Sequence, residues 1–251
     1  MPTVRDMAPP LAPVRAARRR GRLWRLGVVA GCIVLALLLA LAALWQVTPG
    51  VQDAMTRVRA VERAHGAPAL SSLPRDDRVA RALVATEDSR FWTSPGLDPQ
   101  SVVRAGLATV TGSSDIGGAT LEQQLAKNLW FGGRRDRAAQ LQEAVLALKL
   151  DRSWSKDEVL RMYLAQVYFG HGFYGLAQAS HGYFGRAPAQ LSWAQASMLA
   201  GLVQAPSAYD PLVHLRAGKQ RQRHVLDRLV STGVLTRAEA DAAFAAPLHL
   251  A

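Results

Sequence analysis

The stretch Ile116–Phe131, IGGATLEQQLAKNLWF, decides how this chain folds. Two glycines lead into Thr120, and Gln123 follows three positions later. That spacing is a capping box, in which each side chain satisfies a backbone N–H of the other residue at the open first turn of a helix. The reading therefore places a helix start at Leu121. Beyond it, Gln123 with Lys127 and Gln124 with Asn128 recur at i and i+4, so each pair shares a face. Read alone, the stretch is equally a loop, a cap and a solvated helix face.

The same start signal recurs outward along the chain. Ser155-x-x-Glu158, Ser192-x-x-Gln195 and Thr236-x-x-Glu239 each stand ahead of an apolar-periodic segment. Asp98-Pro99 offers an N-cap with proline at the first helical position. No alternating run long enough for a strand appears, and there are no internal repeats. The fold class is mostly α, with eight or nine short helices and a loop at 107–118, LATVTGSSDIGG.

Towards the N-terminus the pattern changes. The chain has 251 residues and a net charge of +11, and residues 1–25 carry seven arginines against the single Asp6. Leu26–Trp45, LGVVAGCIVLALLLALAALW, then runs without a charge. About 20 apolar residues span a hydrocarbon core of ~30 Å, and the arginines ahead of them place the N-terminus on the cytoplasmic side. A cleaved signal peptide has a shorter apolar region of ~7–15 residues. The basic tail thus reads as a membrane feature and not a nucleic-acid one. Four segments follow: a basic tail at 1–25, a transmembrane helix at 26–45, a connector at 46–74 with three prolines and two glycines, and a folded domain at 75–251. Cys32, the sole cysteine, lies in the span, which excludes disulfides and cysteine metal sites beyond it. The six histidines show no ligand spacing.

Only six glutamates occur. Glu122, Glu158 and Glu239 fall in expected first turns, where an acid complements the helix dipole. Glu87 and Glu143 differ. Glu87 closes the run VARALVATEDSRFW in half-apolar surroundings, and Glu143 has Ala139 and Ala147 one turn to either side. A carboxylate among apolar or small neighbours has its pKa raised and can serve as a base. Solvent-facing helix glutamates are the plainer reading of position alone.

The order of these pieces, EDSRFWTSPG at 87–96, GGATLEQQLAKN at 117–128, LQEAVLALKLDRSWSKDEVLRMYL at 141–164 and the glycine-aromatic stretch at 167–211, resembles the peptidoglycan glycosyltransferases. The resemblance covers about residues 75–243. It implies a lysozyme-like glycosyltransferase domain with a membrane-apposed jaw region. It also implies that Glu87 is the base on the acceptor sugar's 4-hydroxyl, with Glu143 assisting at the leaving diphosphate beside a Mg²⁺ or Mn²⁺ ion. Gly118, Thr120, Gln123, Gln124, Lys127, Asn128 and Arg135 become substrate-binding positions, with the diphosphate at the helix N-terminus after the glycines.

The activity so implied is polymerisation of lipid II into β-1,4-linked glycan strands by an inverting hexosyltransferase, with release of undecaprenyl diphosphate. The expected partners are lipid II, the growing strand, the membrane and cell-wall synthesis or division proteins. The expected location is the bacterial cytoplasmic membrane, single-pass, with the catalytic domain on its outer face. Four positions depart from the family pattern. Ser94 replaces a histidine, Ala119 a serine, Ala139-Gln140 an Arg-Lys pair, and Ala165 an asparagine. Two cations expected near diphosphate are thus absent. The alternative is a catalytically weakened relative that binds precursor or serves as a division-complex scaffold. A lysozyme-like hydrolase would also use two carboxylates but has no need of the Gly-Gly-x-Thr and Gln-Gln elements.

Overall fold

The computed structural model describes residues 13–70, 72–73, 75–97, 119–132 and 137–251. The chain divides into two units, Met1–Thr48 and Pro49–Ala251. The first holds one helix, α1, Pro13–Val47. Its segment Gly27–Val47 has a mean hydropathy of 2.8 over 21 residues, none of them buried. Leu35, Leu37 and Leu39 are all more than half exposed. A helix apolar on every side and long enough to cross a membrane has its natural solvent in lipid.

Among its described residues, the regular elements of the second unit are all helical. Its elements are α2 (Ala54–Ala64), α3 (Arg78–Glu87), α4 (Leu121–Phe131), α5 (Arg137–Ser153), α6 (Lys156–Gln166), α7 (Leu176–Phe184), a 3₁₀ turn (Pro188–Gln190), α8 (Trp193–Leu202), α9 (Leu215–Ser231) and α10 (Arg237–Ala245). The only strand-like pairing among them is one bridge between Tyr168 and Tyr174. All four capping boxes form, at Thr120, Ser155, Ser192 and Thr236. The Asp98-Pro99 start and the 107–118 loop lie outside the described residues.

The stretch 46–74, expected as a connector, is largely part of this folded unit. Val51, Ala54 and Val58 are buried in the core, and α2 packs on α4 and α6. Trp154 Nε1 donates to the Val51 carbonyl at 3.0 Å. Ala54, Met55, Val58 and Val61 give α2 an apolar face at helical spacing beside Arg57, Arg59 and Arg63, and they pack on the core.

At the centre lies α8, with every residue from Ala194 to Leu202 buried. Its small residues admit close neighbours: a Cβ on Gly201 would sit 3.0 Å from Arg221 Cγ on α9. Helices α3 and α9 both pack on α8 and on each other. The two buried glutamines at this junction find partners, since Gln195 Nε2 donates to Leu248 O at 2.9 Å and Gln222 Nε2 to Ala194 O at 2.7 Å. This α3–α8–α9 block fixes where the end of α3, and hence Glu87, is presented.

Candidate active site

Helix α3 starts under Asp77, whose carboxylate accepts from Val79 N and Ala80 N, and it ends at Glu87. Glu87 is only 15% exposed and meets Arg221 of α9, 11% exposed, with Oε1 to Nη2 at 2.9 Å. Burial lifts the Glu87 carboxyl above its ordinary value, while Arg221 and the amide of Gln124 on α4 oppose part of that rise. Gln124 is itself held, for its Oε1 accepts from the Tyr163 hydroxyl of α6 at 2.7 Å. Three helices thus converge on one carboxylate.

Glu143 is buried on α5, with Ala139 and Ala147 buried one turn before and after it. Helix α5 packs along α4. The loop after Glu87 is pressed onto the same helix at Gly96, where a Cβ would lie 2.7 Å from Ala147 O and 2.8 Å from Asp151 Cβ. With φ at +75°, Gly96 also has a backbone that side chains disfavour. The end of α3, the start of α4 and the middle of α5 therefore meet. Neither Glu87 nor Glu143 is a solvent-facing helix glutamate.

The N-terminus of α4 carries its own set of hydrogen bonds. Leu121 N donates to Asp88 Oδ2 at 3.2 Å, the N–H of Glu122 turns to its own carboxylate, and Gln123 N donates to Thr120 Oγ1 at 3.3 Å. Two of these amides have carboxylate partners, and the third is held by the cap. Thr120 is buried, and its hydroxyl donates to Gly96 O at 2.8 Å, so it joins the Glu87 loop to α4. Gln123 Oε1 accepts from Thr120 N at 2.9 Å as half of the capping box. Lys127 and Asn128, half-buried one turn further on, remain the polar face of α4. Gly118 and Arg135 lie outside the described residues.

Glu122 stands in the first turn of α4, as expected, and also pairs with a cation from another helix. It is fully buried and paired with Lys156 Nζ at 2.6 Å. Lys156 further meets Asp151 at 2.7 Å and donates to Ser94 O at 2.7 Å. Burial dominates at Glu122 and lifts its carboxyl above the usual value. At Lys156 burial works against the charge, but its hydrogen bonds to Asp151 and Glu122, with their negative charge, outweigh it and keep the ammonium charged. This triad nails the Glu87 loop to α4, α5 and α6 through the backbone of Ser94.

Against this geometry, a transglycosylase family model matches residues 52–230. The chain belongs to the transglycosylase family, the peptidoglycan glycosyltransferases. The match begins two residues before α2, in keeping with the burial of that helix. A Cupriavidus necator protein provisionally named a transglycosylase is 37% identical over 181 residues, covering 72% of this chain and 78% of that one. Penicillin-binding protein 1A of Aquifex aeolicus is 38% identical over 173 residues, and penicillin-binding protein 1F of Bacillus subtilis 36% over 172. Each alignment covers 68% of this transglycosylase-family chain but only 24% of the relative, so the chain spans about a quarter of those two proteins.

One site residue had no signal in the sequence. Arg221 lies on a helix that also carries Arg216, Lys219, Arg223 and Arg228. Only the packing of Gly201 against α9 selects which of these basic residues meets Glu87. Arg228 takes a different role, donating from Nε to Ala85 O near the end of α3 at 3.1 Å.

Proposed function

We propose that the chain polymerises lipid II into β-1,4-linked glycan strands and releases undecaprenyl diphosphate. The observation that carries this reading is the Glu87 carboxylate. It is largely shielded, raised above its ordinary pKa by burial, and stabilised as an anion by Arg221 and Gln124. The growing strand is the donor, with its reducing-end sugar in α linkage to undecaprenyl diphosphate. Glu87 takes the proton from the acceptor's 4-hydroxyl as that oxygen attacks the anomeric carbon from the opposite face. The C–O bond to diphosphate breaks, and the configuration inverts to β. Lys127, Asn128 and Arg135 hold diphosphate and sugar oxygens, and Arg221 supplies a further cation beside the base.

Among the described residues no group of three His, Cys, Asp or Glu side chains could hold a metal by itself. A Mg²⁺ or Mn²⁺ ion bound through substrate phosphates needs only one or two protein carboxylates, and Glu143 fits that part. Such an ion would neutralise charge on the leaving diphosphate. The apolar α1 anchors the chain in the bacterial cytoplasmic membrane, with the arginine-rich end inside and the folded unit outside. There it meets lipid-borne precursor and neighbouring cell-wall synthesis or division proteins.

A second reading rests on the amides of α4 being occupied and on Ala139-Gln140 standing in place of two cations. In it the chain holds precursor as a scaffold and turns it over weakly. Purified lipid II, incubated with the full chain and resolved on a gel, separates the two. A ladder of strands supports polymerisation, whereas binding without a ladder supports the scaffold.

A further inference from the structure

Tyr163 of α6 is fully buried, and burial keeps its phenol neutral by holding its pKa well above the usual value. Its hydroxyl donates to Gln124 Oε1 at 2.7 Å. The two ends of a glutamine amide are alike in shape, and only their partners decide which is oxygen and which is nitrogen. A donor from Tyr163 fixes the oxygen on its own side. The NH₂ group must then face the other way, where it reaches the Ala119 carbonyl at 3.3 Å and the Glu87 carboxylate.

We propose that Tyr163 is a positioning residue for the reaction, fixing the amide of Gln124 so that an N–H donor stays on Glu87. The proposal rests on Glu87 being the base. Gln124 then serves that base and not a sugar hydroxyl. The groups facing Glu87 are Arg221 from α9, Gln124 from α4 and Tyr163 from α6. Arg221 and Gln124 favour its charged form, and burial opposes them. Without the phenol nothing holds the Oε1 end in place, so the amide moves more freely and its N–H spends less time on Glu87. The carboxyl becomes easier to protonate, so less of it is ready as a base at neutral pH.

The test uses the full chain in detergent micelles with ¹³C-labelled glutamate carboxyls. The Glu87 signal is identified by its absence in Glu87→Gln. In Tyr163→Phe the Glu87 titration midpoint should rise while the other glutamates stay put. Polymerisation at neutral pH should fall roughly three- to tenfold, the size of one hydrogen bond, and recover as pH is raised. Gln124→Leu should raise the midpoint likewise, and adding Tyr163→Phe to it should change nothing more. An unmoved midpoint in Tyr163→Phe, a further rise on top of Gln124→Leu, or a rate loss equal at every pH overturns the positioning role. The two readings fail separately, since an active Glu87→Gln enzyme sinks the base assignment and leaves the titration to judge Tyr163.

Discussion

A carboxylate that must gather a proton has to be charged before the reaction and easily protonated during it. Glu87 meets both demands through opposed forces: burial raises its pKa, and Arg221 with Gln124 keeps the anion available. Glu87→Gln preserves shape but cannot accept a proton, and polymerisation should drop by about 10²–10⁴-fold with precursor binding retained. More than a tenth of wild-type rate in a gel assay would remove Glu87 from that role. The pH dependence follows from the sign of the shift. Because the base acts ionised and its pKa is raised, the rate should climb with pH through a midpoint above that of an ordinary glutamate. Arg221→Gln should move that climb to still higher pH, as the cation's share of the stabilisation is lost. A profile unchanged by Arg221→Gln would mean that the ion pair does not persist in the working enzyme. The apolar setting of Glu87, with Val84, Ala85 and Phe91 beside it, was legible in the sequence because those neighbours are local. Arg221 was not, because its partner is 134 positions away.

At the scale of elements, local signals were the readable ones. Four capping boxes gave four helix starts, since a cap is made within four residues. At the start of α4, Asp88 and Gly96 come from another element and engage a backbone amide and the Thr120 hydroxyl, partners that the local sequence did not reveal. Glu122 holds its expected place in the first turn, but its pairing was not legible, because its partner Lys156 belongs to the next helix but one. Lys156→Met should lower stability by about 3–5 kcal/mol at neutral pH by stranding a buried carboxylate. With the lysine gone, Glu122 is held only by burial, so the loss should be smallest in acid and grow as pH rises through its raised pKa. Glu122→Gln in the same background should recover most of the loss in a denaturant melt. Equal destabilisation at acid and neutral pH would show that packing, not charge, is what Lys156 provides. On α5 the absent cations divide differently than the family pattern suggests. Ala139 is buried and Gln140 exposed, so Gln140→Lys should leave the melt unchanged, whereas Ala139→Arg should cost about 1–3 kcal/mol by overpacking the α4–α5 seam.

On the scale of the whole molecule, the apolar helix and the folded unit answer to different solvents. The unit from Pro49 onward has its own core, so a chain begun there should fold and melt cooperatively. Removing the anchor takes away most of the local concentration that a membrane tether supplies, an effect that can reach about 10²–10⁴-fold. The shortened chain should therefore polymerise precursor in mixed micelles at a rate near that of the full chain, yet lag far behind it on precursor embedded in vesicles. Some membrane affinity should nevertheless survive. The folded unit stays net basic once the seven arginines and Asp6 are gone, and Val213 at 63% and Leu141 at 62% exposure leave aliphatic surface unburied. The sequence adds a stripe of Leu97, Val102, Val103, Leu107 and Val110 beside Arg104, most of it outside the described residues, of the kind that dips into a headgroup boundary. Sedimentation with vesicles rich in anionic lipid should carry down a measurable fraction of the shortened chain, and added salt should release it by screening the basic surface. Retention that salt does not weaken would make the contact apolar, placing it on the aliphatic stripe. A shortened chain that stays wholly in solution would make α1 the sole attachment, and the slow step on vesicles would then be encounter with the membrane itself.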